Sequence, residues 1–520
     1  MNSSAAEWRP SINPWIIACA VMLATFMEVL DTTIVAVALP HVAGSLSAST
    51  DEATWTLTSY LVSNAIILPA SGWLARRFGR KRFLLACIVL FTCSSLACGL
   101  ATSLGMLILA RVVQGVGGGA LQPLSQAILL ESFPPEKRGM AMAAFALGVV
   151  VAPILGPTLG GWLTDNYTWR WAFYINIPVG VMAVVMINAF VEDPPYIREA
   201  RPGRIDAMGF GLMAVALATL QIILDRGQQD DWFAADWVRW FAAASVLSLM
   251  AFLVRELTVG EPVVNLRVLR DRNFAVGIVL ITMVGVALYS AITLLPLFLQ
   301  TLMGYSALQS GLAVSPRGAG ALMTMPVVGY LSDKVDFRKL IATGFIVVAA
   351  SLWWLGAINL EIAMSNIVWP SVFTGVGLSM IFVPLSAVAM GTLPQAEMGN
   401  ASGIFNLMRN VGGSVGISAV TTTLIRDAQV HQATMVAHLT PGDIAFGLRS
   451  QALLSYLAGH FDQADAARRA QAVMYGELQR QATLWAFVNN FRLLALICLV
   501  CAGSVVLFKK VRRARPGPMH

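Results

Sequence analysis

Hydrophobic residues run along this chain in stretches of about 20 residues or more, parted by short polar connections. Fourteen such stretches can be marked, with soft edges: 14–39, 52–74, 83–101, 104–130, 140–163, 171–191, 206–224, 233–254, 273–300, 308–331, 339–358, 365–390, 400–425 and 484–508. Each is long enough to cross the hydrocarbon core of a bilayer as a helix. The pattern therefore predicts an all-α polytopic membrane protein with fourteen transmembrane helices. One connection stands apart. Between the last two stretches lie residues 427–483, far longer than an ordinary loop. "TPGD" at 440–443 breaks this segment, and from Asp465 the chain is rich in Ala, Arg, Gln, Glu and Met. That composition predicts a helix running into the final span, and 467–484 would carry it about 27 Å beyond the membrane as one arm of a hairpin.

Composition agrees with the pattern. Of 520 residues, 57% are hydrophobic and only 12% charged, against about 25% charged in soluble domains. The net charge is +7, but its placement is more informative. Arg76, Arg77, Arg80, Lys81 and Arg82 follow the second stretch, Lys137 and Arg138 the fourth, and Arg198, Arg201 and Arg204 the sixth. Arg267, Arg270 and Arg272 follow the eighth, Lys334, Arg338 and Lys339 the tenth, and Lys509, Lys510, Arg512, Arg513 and Arg515 the last. The short connections after odd-numbered stretches hold at most one Lys or Arg each; the long 427–483 segment holds four arginines. The positive-inside rule then places both termini in the cytoplasm and favours an even number of spans. Basic runs that flank spans do not indicate nucleic-acid binding. The first stretch is too long for a cleavable signal, and Glu7 and Arg9 flank it instead of a basic cluster. All six cysteines fall within spans, so no disulfide framework is indicated.

Against this background the first span holds a costly feature. "EVLDTTIVAVALP" (28–40) places Glu28 and Asp31 three residues apart, on one helical face. A carboxylate at mid-membrane costs about 2.5–3.5 kcal/mol on insertion scales. A carboxyl group able to exchange its proton near physiological pH can load on one side and release on the other, and burial and nearby charge set that ability. The fourth span offers a counter-charge: Arg111, Gln114, Gly118, Gln122 and Ser125 share a face. If Arg111 meets Asp31, a conformational change that breaks the pair makes a proton switch. Asn406, Arg409 and Asn410 share a face of the thirteenth span, while Asn64, Tyr289 and Arg317 lie in others. With Gln114 and Gln122, these residues (Asn64, Tyr289, Arg317, Asn406 and Arg409) predict a polar, partly positive central cavity. Helix–helix hydrogen bonding is the competing reading for each.

The chain also repeats itself. "GWLARRFGRKR" from Gly72 and "GYLSDKVDFRK" from Gly329 each follow the second helix of a six-helix set. This divides the chain into a first half (1–191), an inserted pair of spans (192–272) and a second half (273–520) that includes the 427–483 hairpin. Two parallel six-helix halves are the architecture of major facilitator transporters. "GWLARRFGRKR" resembles that superfamily's signature loop, with Gly72, Gly79 and Arg80 in place. The family's acidic position is Arg76 here, and the second copy keeps an acid, Asp333. "LARVVQGVGGGA" (109–120) is similar to the fourth-helix motif. "LGVVVAPILGPTLGGWL" (147–163) is similar to the antiporter motif of the fifth helix, with Gly148, Pro153, Gly156, Pro157 and Gly160. "LDTTIVAVALP" (30–40) resembles the first-helix motif of fourteen-span drug/proton antiporters; Asp31 matches it and Glu28 does not. The resemblance covers essentially the whole chain and points to EmrB-type and QacA-type exporters.

The resemblance implies a bacterial inner-membrane exporter of hydrophobic or amphipathic toxic compounds, driven by the proton gradient without another cofactor. It also implies a periplasmic adaptor of the EmrA type and an outer-membrane channel, with the hairpin as a docking element. The fifth-helix motif is expected to form a close-packed surface that seals one side of the cavity. QacA-type exporters of dications carry an extra carboxylate in the tenth span, where this chain reads "SPRGAG" with Arg317. The residues themselves exclude several classes. There is no Walker motif. "GVGGGA" (115–120) lies within a span with no preceding strand, so it reads as packing and not as a dinucleotide site. "GGSVG" (412–416) has the form of a nucleophile elbow, but it lies within a span and no histidine shares that setting. A proton-coupled importer of one organic solute is the main alternative; a membrane enzyme and a non-transporting sensor are weaker ones.

Overall fold

The computed structural model describes residues 10–134, 137–194, 206–332, 334–439 and 443–509. Asp333, the basic residues 198, 201 and 204, and those beyond 509 lie outside the described residues. The described chain is all helix, with no strand. The long helices are α1 (Pro14–Ser45), α2 (Trp55–Phe78), α3 (Arg80–Gly99), α4 (Leu104–Gly118, continued by Leu121–Ser132), α5 (Arg138–Asn166) and α6 (Trp171–Tyr174 with Asn176–Phe190). The inserted pair is α7 (Ala207–Arg226) and α8 (Asp236–Thr258). There follow α9 (Arg272–Thr301), α10 (Ala307–Val314 with Pro316–Ser332), α11 (Phe337–Leu355), α12 (Ser365–Gly391), α13 (Met398–His438), α14 (Ile444–Ala458) and α15 (Gln463–Ser504).

Local sequence sets the helix ends. Asn13 accepts from the Trp15 N–H at 3.0 Å ahead of Pro14, and Ser306 with Gln309 forms a capping box at α10. Asp443 and Asp462 cap α14 and α15. Gly79 separates α2 from α3 with φ of 84°, a region that disfavours a side chain. Ten described helices are long and apolar enough to cross a membrane, and the bent helix Arg138–Asn166 makes up to eleven. The remaining three of the fourteen expected spans are α2, α10 and α13. Large apolar side chains face outward, among them Leu247, Met250 and Val254 on α8 and Val500 on α15, as lipid contact requires.

Packing repeats between the halves. In the first, α1 packs on α5, α2 and α3 on α4, and α6 on α1 and α3. In the second, α9 packs on α13, α10 and α11 on α12, and α15 on α9 and α11. The halves meet through α2 on α13 and α5 on α10. Helix α7 packs on α2 and on α13, so the inserted pair sits beside the seam between halves. The segment between α13 and α15 holds a third helix, α14, packed on α15. α13 has 41 residues and α15 has 42, each about 60 Å long at 1.5 Å per residue. That is about twice the hydrocarbon thickness of a bilayer.

Candidate functional site

The two carboxylates of α1 occupy different environments. Asp31 is fully buried and paired with the equally buried Arg111, whose Nη1 donates to Asp31 Oδ2 at 2.6 Å. The other carboxylate oxygen accepts from Gln114 Nε2 at 3.0 Å and from Asn176 Nδ2 at 2.7 Å. Ser95 Oγ accepts from both of those amides, at 3.2 and 2.9 Å, and donates to the Phe173 carbonyl at 3.0 Å. Arg111 is held by further bonds, from Nε to the Thr56 carbonyl at 3.0 Å and from Nη1 to Gln114 Oε1 at 2.7 Å. Its guanidinium lies 4.2 Å from the centre of the Tyr60 ring. A charge pair this deep depends on satisfying its remaining lone pairs and protons; α2, α4 and α6 supply the direct partners, and Arg111 Nη2 alone is left without one among the described residues. The composition of α4 gave Arg111 and Gln114; nothing in the pattern of α3 or α6 singled out Ser95 or Asn176.

Glu28 lies one turn earlier and lines a partly open cavity of about 260 Å³. Its Oε1 accepts from Tyr60 Oη at 3.2 Å and Asn64 Nδ2 at 3.1 Å, and its Oε2 accepts from Gln122 Nε2. Gln122 Oε1 in turn accepts from Arg409 Nη2 on α13. A single glutamine thus joins the carboxylate of one half to the guanidinium of the other. Arg409 is fully buried, and its Nε and Nη1 make no hydrogen bond.

The cavity lies between the halves. Thr32, Tyr60, Asn64 and Pro153 line it from the first, Tyr289, Asn410 and Ser414 from the second, and Gln221 from α7. Most of the wall is apolar, including Val29, Leu57, Ile292 and Ile417, as suits a site for amphipathic molecules. Of the residues expected around it, Asn64, Gln122 and Tyr289 line it. Gln114 lies against Asp31 instead. Arg317 is buried within the second half, its Nε and Nη1 without hydrogen bonds. Asn406 donates from Nδ2 to Gln126 Oε1 at 2.7 Å, beyond the cavity floor.

That floor is a seam at the end of the bundle carrying the basic connections after α2 and α10. A Cβ on Gly72 would lie 2.7 Å from the Asn400 backbone nitrogen, so only glycine allows α2 to approach α13 there. Ser402 Oγ lies 2.9 Å from both the Pro123 carbonyl and Gln126 Oε1. Arg80, from the signature loop, is buried in a salt bridge with Glu131 of α4. Lys81 N–H donates to Asp193 at 2.9 Å, beside Gly79. Small residues of α5 pack on α1: Gly148 on Met22, Gly156 on Thr33, and Gly160 on Ile34. The side chain of Pro157 lies outside the described residues.

No cluster of His, Cys, Asp and Glu suited to a metal occurs among the described residues. With enclosed charges, a cavity between two related halves and one closed end, the arrangement fits an alternating-access transporter. Comparison with known proteins agrees. The Major Facilitator Superfamily model matches residues 21–417. The multidrug export protein EmrB of Haemophilus influenzae is 39% identical over 445 residues, covering 85% of this chain and 87% of that protein. EmrB of Escherichia coli strain K12 is 39% identical over 446 residues, covering 85% and 86%. The fold is shared with the human organic anion transporter MFSD10, at a TM-score of 0.59, 13% identity, and coverage of 94% and 100%. The chain belongs to the major facilitator superfamily of membrane transporters and is similar, over most of its length, to the EmrB multidrug export proteins.

Proposed function

We propose that this transporter exports hydrophobic and amphipathic toxic compounds across a bacterial inner membrane in exchange for protons. The observation that carries the reading is the polar link at the cavity floor. Glu28 faces the cavity, and Gln122 connects it to Arg409 of the other half. Proton uptake by Glu28 weakens its hold on Gln122 and so loosens a contact between halves, which couples protonation to the opening of the seam. Asp31 and Arg111 form the second element, a closed charge pair that a rearrangement of α1 against α4 would break and load. The identity to proteins named for multidrug export supports the direction and the breadth of substrates.

The same reading makes the chain the inner-membrane part of a tripartite pump, with both termini cytoplasmic. Supporting it, α13 and α15 extend far past a bilayer's thickness. With α14 they frame a groove of about 420 Å³ lined by Met435, Leu439, Leu453, Val473, Met474 and Leu478 among others. An apolar groove on a projecting helical element suits an amphipathic helix of an EmrA-like adaptor, which would lead on to an outer-membrane channel.

The test has two arms. A drug-susceptibility panel in a strain lacking its main efflux pumps should show resistance to several unrelated amphipathic compounds. In proteoliposomes an imposed pH gradient should drive their transport, and Asp31→Asn should abolish it. Wild-type susceptibility throughout the panel, or accumulation of a compound in place of its removal, would overturn the reading. Full gradient-driven transport by Asp31→Asn would remove the proton role of Asp31.

A further inference from the structure

The inserted helices distinguish this chain from a twelve-span arrangement, and one of them reaches the cavity. We propose that α7 is a wall of the substrate cavity and that Gln221 is a specificity-determining residue. Its amide nitrogen donates to acceptor oxygens, such as ketone, nitro or carboxylate, on transported molecules. This inference rests on the export reading above.

Gln221 is only 7% exposed, yet it lines the cavity. Its Oε1 accepts from Ser414 Oγ at 3.0 Å, and the same hydroxyl lies 3.3 Å from the Asn410 carbonyl. Among the described residues its Nε2 meets no acceptor. An amide whose oxygen is held by the protein and whose N–H₂ faces a binding space is set up to donate. The helix around it is pinned on both sides. One turn on, Asp225 accepts from Thr58 and Arg226 donates to Thr54, both on the first half. Trp232 Nε1 donates to Thr422 on the second, at 3.1 Å. Gln221 therefore holds a fixed position between the halves.

The wall opposite explains why a donor matters. Tyr60, Asn64 and Gln122 each spend a donor on the Glu28 carboxylate, so the first half leaves a ligand few free donors. A polar oxygen brought into this mostly apolar space loses water and needs a replacement donor. A ligand lacking the acceptor leaves Nε2 unpaired instead. Either mismatch costs about one hydrogen bond, or about 3- to 10-fold in relative affinity.

The test uses the purified full-length chain in proteoliposomes and a matched pair of probes: an N-alkylated 4-quinolone without a carboxylate and the same molecule lacking the 4-oxo group. Wild type should prefer the keto compound about 3- to 10-fold in kcat/KM, and Gln221→Met, which keeps length but removes the donor, should erase the preference. Persistence of the preference in Gln221→Met overturns the inference. So does a parallel loss of both rates, which marks Gln221 as structural. A wild type that exports other aromatic compounds but shows no keto preference overturns this inference alone. A wild type that exports nothing from the susceptibility panel overturns the export reading and this inference with it.

Discussion

Removing one member of the Asp31–Arg111 pair should be worse than removing both. In Arg111→Met, Asp31 keeps the Gln114 and Asn176 amides at 3.0 and 2.7 Å but loses the 2.6 Å charge contact. The Thr56 carbonyl also loses its donor, and the Tyr60 face its cation. Breaking a buried pair from one side costs about 3–5 kcal/mol. The two remaining amides place this variant near the lower end, at about 3 kcal/mol. In Asp31→Asn the guanidinium stays buried with Nη2 already lacking a partner, which places that variant near the upper end. The double variant Asp31→Asn/Arg111→Met buries no charge here and should recover much of the loss, with a coupling of up to about 3 kcal/mol. The assay is a thermal-inactivation series of the purified variants in one detergent, compared as a double-mutant cycle. Gradient-driven transport is measured alongside, and all three variants should lack it. A double variant less stable than either single one would refute the reasoning, because it would show that packing and not charge compensation dominates the site. So would single variants as stable as wild type.

Gly72→Val should abolish transport, since its side chain meets the Asn400 backbone, whereas Gly161→Val, with nothing within 4 Å of its Cβ, should leave it intact; transport assays on matched amounts of inserted protein decide between them. Leu453→Asp with Val473→Asp, in the groove beside α14, should abolish resistance in cells with two membranes yet preserve transport in proteoliposomes; loss in both assays would make the groove part of the transporter's own fold. Dicationic compounds should be poor substrates, because Glu28 is the one carboxylate lining the described cavity and it is already bonded to three donors; strongest resistance to a bis-biguanide would contradict this.

The sequence by itself determined the helices, the membrane character and the kinship of the halves. The reason is local: in lipid every backbone N–H and C=O must be satisfied within its own segment, so an apolar stretch of sufficient length is committed to a helix. The paired loops at Gly72 and Gly329 exposed the repeat, and helical periodicity put Arg111 and Gln114 on one face, with Arg111 a candidate counter-charge for the carboxylates of α1. The tertiary structure decided the rest. It made Asp31 an enclosed group and Glu28 the cavity carboxylate, although they are three residues apart, because Asp31 is closed in by α4 and α6 while Glu28 meets α2 and the next turns of α4 beside the cavity. It joined Glu28 to Arg409 through Gln122, brought Gln221 of the inserted pair into the wall, and kept Arg317 and Asn406 out of it. These pairings span 94 to 287 residues of sequence. They depend on how two six-helix bodies are set against each other, which is fixed by many small contacts such as Gly72 on Asn400. No periodicity within a single helix carries that information.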